Sequence, residues 1–224
     1  MPRPYDEKTL DILNNAESTR EMLSALDWDA LWELCAEKRI ECAIDRRVVS
    51  DAYADTIMEI MGVRSGTSVL VPMASGGSLC VRAALAGSRV TAINDDDAAL
   101  ERVQQRAKDE WVRPGLITKV HGNIYDDWSA LNISPHTVVV LSRALIAHQL
   151  KKTLEQISNF ALKRAVVSVE AYPKYIKNGE SFDCADHILV VNQLFELGYN
   201  PSIKYVLEDN SQKMYAVIYW STEK

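Results

Sequence analysis

From residue 68 onward, five short runs rich in β-branched residues, SVLVPM, RVTAIN, LITKVHG, TVVVLS and AVVSVE, are separated by stretches of helical length. Strands that are apolar throughout must be covered on both faces, and helices between them supply that cover in a parallel sheet. The alternation therefore predicts a doubly wound α/β sheet of five parallel strands. Two further runs, PSIKYVLE and QKMYAVIYW, are joined only by the polar link DNS. A parallel pair needs a crossover of about a dozen residues, so these two must form a C-terminal antiparallel hairpin. A helix over Ile188 to Leu197, ended by Gly198, leads into it.

The first sixty residues read differently. Trp28, Leu31, Trp32 and Cys35 fall at i, i+3, i+4 and i+7, and Tyr53, Ile57, Ile60 and Met61 repeat a helical spacing. Ser50 can cap the second of these helices and Gly62 can end it. The expected organisation is an N-terminal helical cap over residues 1–62 and a sheet domain over residues 63–224. A chain of 224 residues, 47% of them hydrophobic, is long enough to bury one sizeable core.

Charge and composition narrow the partners. A formal charge of −6 without a basic run disfavours tracking along nucleic acid and favours a small molecule or a protein. No apolar run has the length of a membrane span, and the opening MPRPYDEKTL lacks the apolar core of a secretion signal; both point to the cytoplasm. Cys35, Cys42, Cys80 and Cys184 form no CxxC pair and sit in apolar helical or helix-flanking patterns, so they read as reduced core residues. His121, His136 and His187 lack the spaced companions of a metal site, and no metal is expected. The acids of NDDDAALE read as helix capping rather than a cation site.

In a doubly wound sheet, ligands lie beyond the carboxyl ends of the strands where the strand order reverses, and the first strand-to-helix loop reaches that point. Residues 73–78, MASGGS, occupy this loop. Small side chains let a ligand approach the backbone, Gly76 or Gly77 can take positive φ, and the following helix presents first-turn N–H groups. The same features also serve a tight turn with close helix packing.

The order of elements and several segments resemble the class I S-adenosylmethionine-dependent methyltransferases, which are Rossmann-like. The likeness runs from about residue 45 to the end. RVTAINDDDAALERVQQRA is similar to that family's second strand and following helix, and VVVLSRAL to its fourth-strand segment. The terminal hairpin separates this family from nicotinamide-binding relatives, which continue with a parallel strand, and GxGxxG is absent.

The resemblance implies S-adenosyl-L-methionine as cofactor and a cofactor site built from Tyr53, Met73, Ala74, Ser75, Gly76, Gly77, Asn94, Asp95, Asn123, Ile124 and Ser142. The chain departs from the pattern in three places. Where the family has an acid and then Gly-x-Gly-x-Gly, this chain has Val71 and then Met73, Ser75 and Gly77, so only the third glycine is kept. Asn94 stands where an acid accepts both ribose hydroxyls, with Asp95 next to it and able to substitute. Asn123 stands where an Asp meets the adenine amino group, and Ile124 would flank the ring.

Methyl transfer is an in-line displacement that needs positioning, exclusion of water and in some cases proton removal. Residues after the fourth strand face the reacting centre in this fold, which nominates Ser142, Arg143 and His148, the last two as catalytic residues. The N-terminal helices would form a lid, with Trp28, Trp32, Arg46, Arg47 and Tyr53 lining the acceptor pocket or the cofactor's amino-acid end, and acceptor specificity would reside there and after the fourth and fifth strands, around Tyr172 and Tyr175. The expected activity is methyl transfer to a small-molecule acceptor. The rival expectation is a non-catalytic member of the fold that acts as a binding partner or homo-oligomer subunit.

Overall fold

The computed structural model describes residues 27–33, 36, 51–143, 146, 148–171, 174–177, 180–183, 186–208 and 213–223. Two helices, α1 (Trp28–Glu33) and α2 (Asp51–Met61), precede the sheet. Alternation then runs β1 (Ser68–Pro72), α3 (Ser78–Leu85), β2 (Arg89–Asn94), α4 (Asp97–Asp109), β3 (Ile117–His121), β4 (His136–Ser142), α5 (Leu150–Phe160) and β5 (Ala161–Glu170). A small hairpin of β6 (Lys174–Lys177) and β7 (Glu180–Asp183) follows, then α6 (Asp186–Glu196), β8 (Ser202–Glu208) and β9 (Lys213–Ser221).

Seven strands form one sheet in the order β3-β2-β1-β4-β5-β9-β8. The first five are parallel, β9 runs antiparallel to β5, and β8 is antiparallel to β9. The doubly wound sheet with a terminal antiparallel hairpin is thus the fold observed. The β6–β7 hairpin was not anticipated. Its strands are separated in sequence by Asn178 and Gly179, the strongest short-range hairpin signal.

Strand alternation divides the core into two layers. Leu70, Ile93, Val139, Leu141, Val167 and Ile218 point to one face, where Trp32, Leu150, Leu154, Ile157, Val190 and Leu194 cover them. Val69, Val71, Val90, Val138, Val140, Val166 and Val217 point to the other face and meet Tyr53, Ile57, Leu79 and Val103. The helical spacing read at Tyr53, Ile57, Ile60 and Met61 is the buried stripe of α2, which ends at Gly62 with φ 60. Trp28 and Trp32 are both buried, while Cys35 and the proposed cap Ser50 lie outside the described residues. Cys80 is a buried thiol that burial pushes up to about 12, so it stays protonated at neutral pH; Cys35, Cys42 and Cys184 lie outside the described residues. Among the described residues, no helix is long and apolar enough to cross a membrane.

Candidate active site

The chain winds β1, β2, β3 in one direction and returns to β4 on the other side of β1, so strand order reverses between β1 and β4. Two non-glycine residues take left-handed backbone at that point. Met73 follows β1 with φ 57, and Arg143 follows β4 with φ 53. Such conformations cost on the order of 1–3 kcal/mol each and cluster where a ligand dictates the path of the chain.

The first loop is held at each residue. The Ala74 N–H donates to the Ile93 carbonyl at 3.0 Å. Exposed Ser75 and Gly76 offer their carbonyls to Arg102 Nε and Arg106 Nη1 of α4, both at 3.4 Å. Gly77, with φ 71, caps α3, and a Cβ there would stand 3.0 Å from Val103 Cα. A glycine at 77 is therefore required for the close contact between the loop and α4. Met73 is half-buried and packs against the core layer that contains Trp32 and Ile124.

The second and third loops differ in which amide they offer. Asn94 ends β2 as a buried residue: its Nδ2 donates to the Ala74 carbonyl at 3.2 Å and its Oδ1 accepts the Asp96 N–H at 2.8 Å. Its amide is spent on joining the first two loops. Asp95 is exposed, and its Oδ2 accepts from Asn123 Nδ2 of the third loop. Asp126 Oδ2 fixes the Asn123 N–H at 2.7 Å, and Asn123 Oδ1 accepts the Tyr125 N–H at 3.2 Å. Ile124 is buried in the core, its carbonyl accepting from Gln156 Nε2 at 3.0 Å. Asp96 caps α4 through the Ala98 N–H at 2.9 Å, and that hydrogen bond, with Arg102 beside it, holds its carboxyl below the usual range. His121 pairs with Asp97 at 2.9 Å, which raises its pKa, with Asp95 and Asp126 adding to the effect.

The ends of β4 and β5 carry a buried hydroxyl cluster. Tyr53 of α2 is wholly buried, and its hydroxyl bonds Ser142 Oγ at 2.8 Å and Ser168 Oγ of β5. Ser168 Oγ also accepts the Arg143 N–H at 2.8 Å, which holds the left-handed turn in place. The Arg143 guanidinium lies over the rings of Tyr53 and Tyr215, at 5.7 and 5.1 Å from their centroids, and the residue is buried. Burial pushes the Tyr53 phenol up to about 12, partly offset by its two serine partners, so it is neutral at physiological pH. Of this cluster, Ser142 is the half-buried member at the strand end. Ser168 and Tyr215 were not anticipated, although a serine inside the otherwise apolar AVVSVE is a visible signal.

His148 is tied to α1. Its Nδ1 bonds Glu33 Oε2 at 2.6 Å, and its N–H donates to the Tyr125 hydroxyl at 3.2 Å. Glu33 Oε1 also accepts the Gln149 N–H at 2.7 Å, and Asp29 Oδ1 the Lys151 N–H at 3.0 Å, so two carboxylates of α1 cap α5. Trp32 Nε1 donates to the Ile146 carbonyl at 3.0 Å, which docks α1 on the segment after β4. Arg46, Arg47, Tyr172 and the side chain of Tyr175 lie outside the described residues. Among the described residues, no group of three or more His, Cys, Asp or Glu is placed to hold a metal ion. A groove of about 630 Å³ lined by Arg64, Thr67, Thr137, Lys163 and Arg164 opens at the amino ends of the strands. That is the opposite end from the loops where this fold class binds ligands.

No protein-family model and no curated protein matches the chain. Solved structures do. A precorrin-6y C5,15-methyltransferase from Geobacter metallireducens superposes with a TM-score of 0.62 at 11% identity, over 79% of this chain and 91% of that one. A magnesium protoporphyrin IX methyltransferase from Synechocystis, with bound S-adenosylmethionine, gives 0.59 at 13% identity, over 88% and 97%. A geranyl diphosphate methyltransferase in complex with geranyl diphosphate and sinefungin gives 0.59 at 13% identity, over 76% and 77%. The chain has the Rossmann-like fold of the class I S-adenosylmethionine-dependent methyltransferases.

Proposed function

We propose that the protein is an S-adenosylmethionine-dependent methyltransferase acting on a small-molecule acceptor. The observation that carries this reading is the Asp95–Asn123 pair, which joins the exposed carboxylate next to the ribose position Asn94 to the residue expected at the adenine, both at the carboxyl edge of the sheet. The donor set fits the cofactor. An exposed carboxylate can accept ribose hydroxyls while one of its oxygens holds Asn123, and the small, exposed Ser75 and Gly76 leave the first loop open to close approach. The buried amide of Asn94 moves the ribose contact to Asp95.

S-adenosylmethionine supplies an electrophilic methyl group. The residues of this chain bind, orient and exclude water. The Ser168 hydroxyl accepts from the Arg143 N–H and shares a hydrogen bond with Tyr53, which shares another with Ser142, so the three hydroxyls form one chain that ends at the half-buried Ser142 beside the end of β4. The Arg143 guanidinium is held over the Tyr53 and Tyr215 rings at the turn after β4. His148, bonded to Glu33, positions α1 against α5.

A second reading, a member of the fold that serves as a binding partner without cofactor, draws on the inward-turned Asn94 and on Met73 packed against the core. Calorimetric titration with S-adenosylmethionine and S-adenosylhomocysteine, with nicotinamide cofactors as controls, separates the two. Micromolar binding of the sulfonium pair supports the enzyme; no heat at high concentration sinks it. Asp95→Ala should weaken that binding about 10- to 100-fold, as expected for lost hydrogen bonds to a charged group. Its melting temperature should fall by no more than a few degrees, because the lost bond to Asn123 is exposed.

A further inference from the structure

Among the described residues β8 is the last strand of the sheet and pairs with β9 alone, so one edge of its seven residues presents main-chain donors and acceptors with no strand beside them. Its pairing with β9 runs unbroken from Ser202↔Tyr219 to Glu208↔Lys213, with no bulge to twist the edge away. Three alternate residues on the α6 side are exposed although apolar: Ile203 at 37%, Tyr205 at 47% and Leu207 at 53%. Met214, paired with Leu207 on β9, adds 40%, and Ile188 on α6 adds 50%. The His187 ring of α6 meets Tyr205 edge-on at 5.7 Å, so helix and strand share one apolar surface. Lys204, the charge that would protect such an edge, faces the other side and is bonded to Glu59 of α2 at 2.9 Å. The opposite edge is defended. β3 has only five residues, and Lys119 and His121, with their partners Glu101 and Asp97, place charges along one face of it, whereas the apolar face of β8 carries none.

We propose that two copies of this chain pair through β8, antiparallel about a two-fold axis perpendicular to the sheet and passing beside Tyr205, giving a continuous fourteen-stranded sheet. Such an axis keeps Ile203, Tyr205 and Leu207 of both copies on one face. Centring on Tyr205 overlaps the full strand: Tyr205 meets its own counterpart, Ile203 meets Leu207, and apolar faces apolar along the stripe. A head-to-tail pairing of β8 with β3 would not close and would bring the apolar stripe against charged residues. Ile203, Tyr205 and Leu207, with the main-chain edge, contribute roughly 500 Å² a side, the range of a weak, concentration-dependent dimer. The inference is independent of the methyl-transfer reading.

Sedimentation velocity of the full chain from about 1 to 200 µM should show a monomer–dimer equilibrium that shifts with concentration. Tyr205→Lys and, separately, Leu207→Lys should each sediment as a monomer throughout with an unchanged circular dichroism spectrum. The register has its own test. Tyr205→Cys should form a disulfide-linked dimer on mild oxidation, because directly opposed residues lie about 4.5–5.5 Å apart at Cα, within disulfide reach. Ile203→Cys alone should not, and the unaltered protein under the same oxidation controls for the native cysteines. A monomeric unaltered protein at the highest concentration overturns the proposal, as does a dimer that survives both lysine substitutions or fails to cross-link through Tyr205→Cys.

Discussion

The carboxyl edge of the sheet has two halves built on different principles. Over β1, β2 and β3 the loops hold one another: Asn94 joins the first loop to the second, Asn123 joins the third to Asp95, and the charged side chains remain at the surface. Over β4 and β5 the strand ends are covered by the helices that precede the sheet. Tyr53 of α2 reaches Ser142 and Ser168, and Glu33 of α1 caps α5. The first half is complete within the alternating strands and helices. The second exists only when the N-terminal helices dock. In the proposed enzyme the cofactor side is thus fixed by the fold, whereas the acceptor side is set by the added helices, the natural place for specificity to vary.

Substitutions that strike one half and leave the other intact test this division. The largest effect is expected at Gly77, where a β-branched side chain meets both a left-handed backbone and the main chain of Val103. Gly77→Val should cost about 3–5 kcal/mol in chemical denaturation, which makes it a probe of folding rather than of cofactor contact. Asn94→Asp restores the acid of the resembled family, yet should lower stability by about 2–3 kcal/mol, because a carboxylate cannot donate to the Ala74 carbonyl and is buried beside it. It should not tighten S-adenosylmethionine binding in the same titration. A gain in affinity without loss of stability would show that Asn94, not Asp95, meets the ribose.

Tyr53→Phe removes one buried hydroxyl from the other half and should cost about 1–2 kcal/mol by equilibrium unfolding. Turnover should fall more than cofactor affinity, since Ser142 loses its orienting partner. Equal losses in both would merge the two halves into one unit. The smallest effect is a pH dependence at His121. Its folded pKa is raised by Asp97, so its contribution is complete below the ordinary value of 6.5 and disappears as pH rises through the raised folded value. Proton NMR titration of the ring should place its midpoint above 6.5, and Asp97→Asn should bring it down.

Much of the first half was legible in the sequence. The loop after β1, the acid pair at the end of β2 and the asparagine after β3 each follow a strand whose end is marked by a switch from β-branched to polar residues. The choice between Asn94 and Asp95 was not legible, because adjacent residues at a strand end turn to opposite sides and a shift of one position exchanges their roles. The second half was legible only as a list of candidates. Tyr53 lies 89 residues from Ser142 and 115 from Ser168, and Glu33 lies 116 from Gln149. No local spacing records such meetings.

The amino-acid sequence by itself determined the kinds of elements, their alternation and the antiparallel terminal hairpin, because periodicity and link length are local properties that act before any distant contact forms. The tertiary structure alone decided that Asn94 turns inward, that Arg143 rests on Tyr53 and Tyr215, and that the stripe on β8 stays uncovered. Each depends on which surfaces meet when the helices close over the sheet. That is a matter of three-dimensional packing, for which the one-dimensional pattern sets the participants but not the pairs.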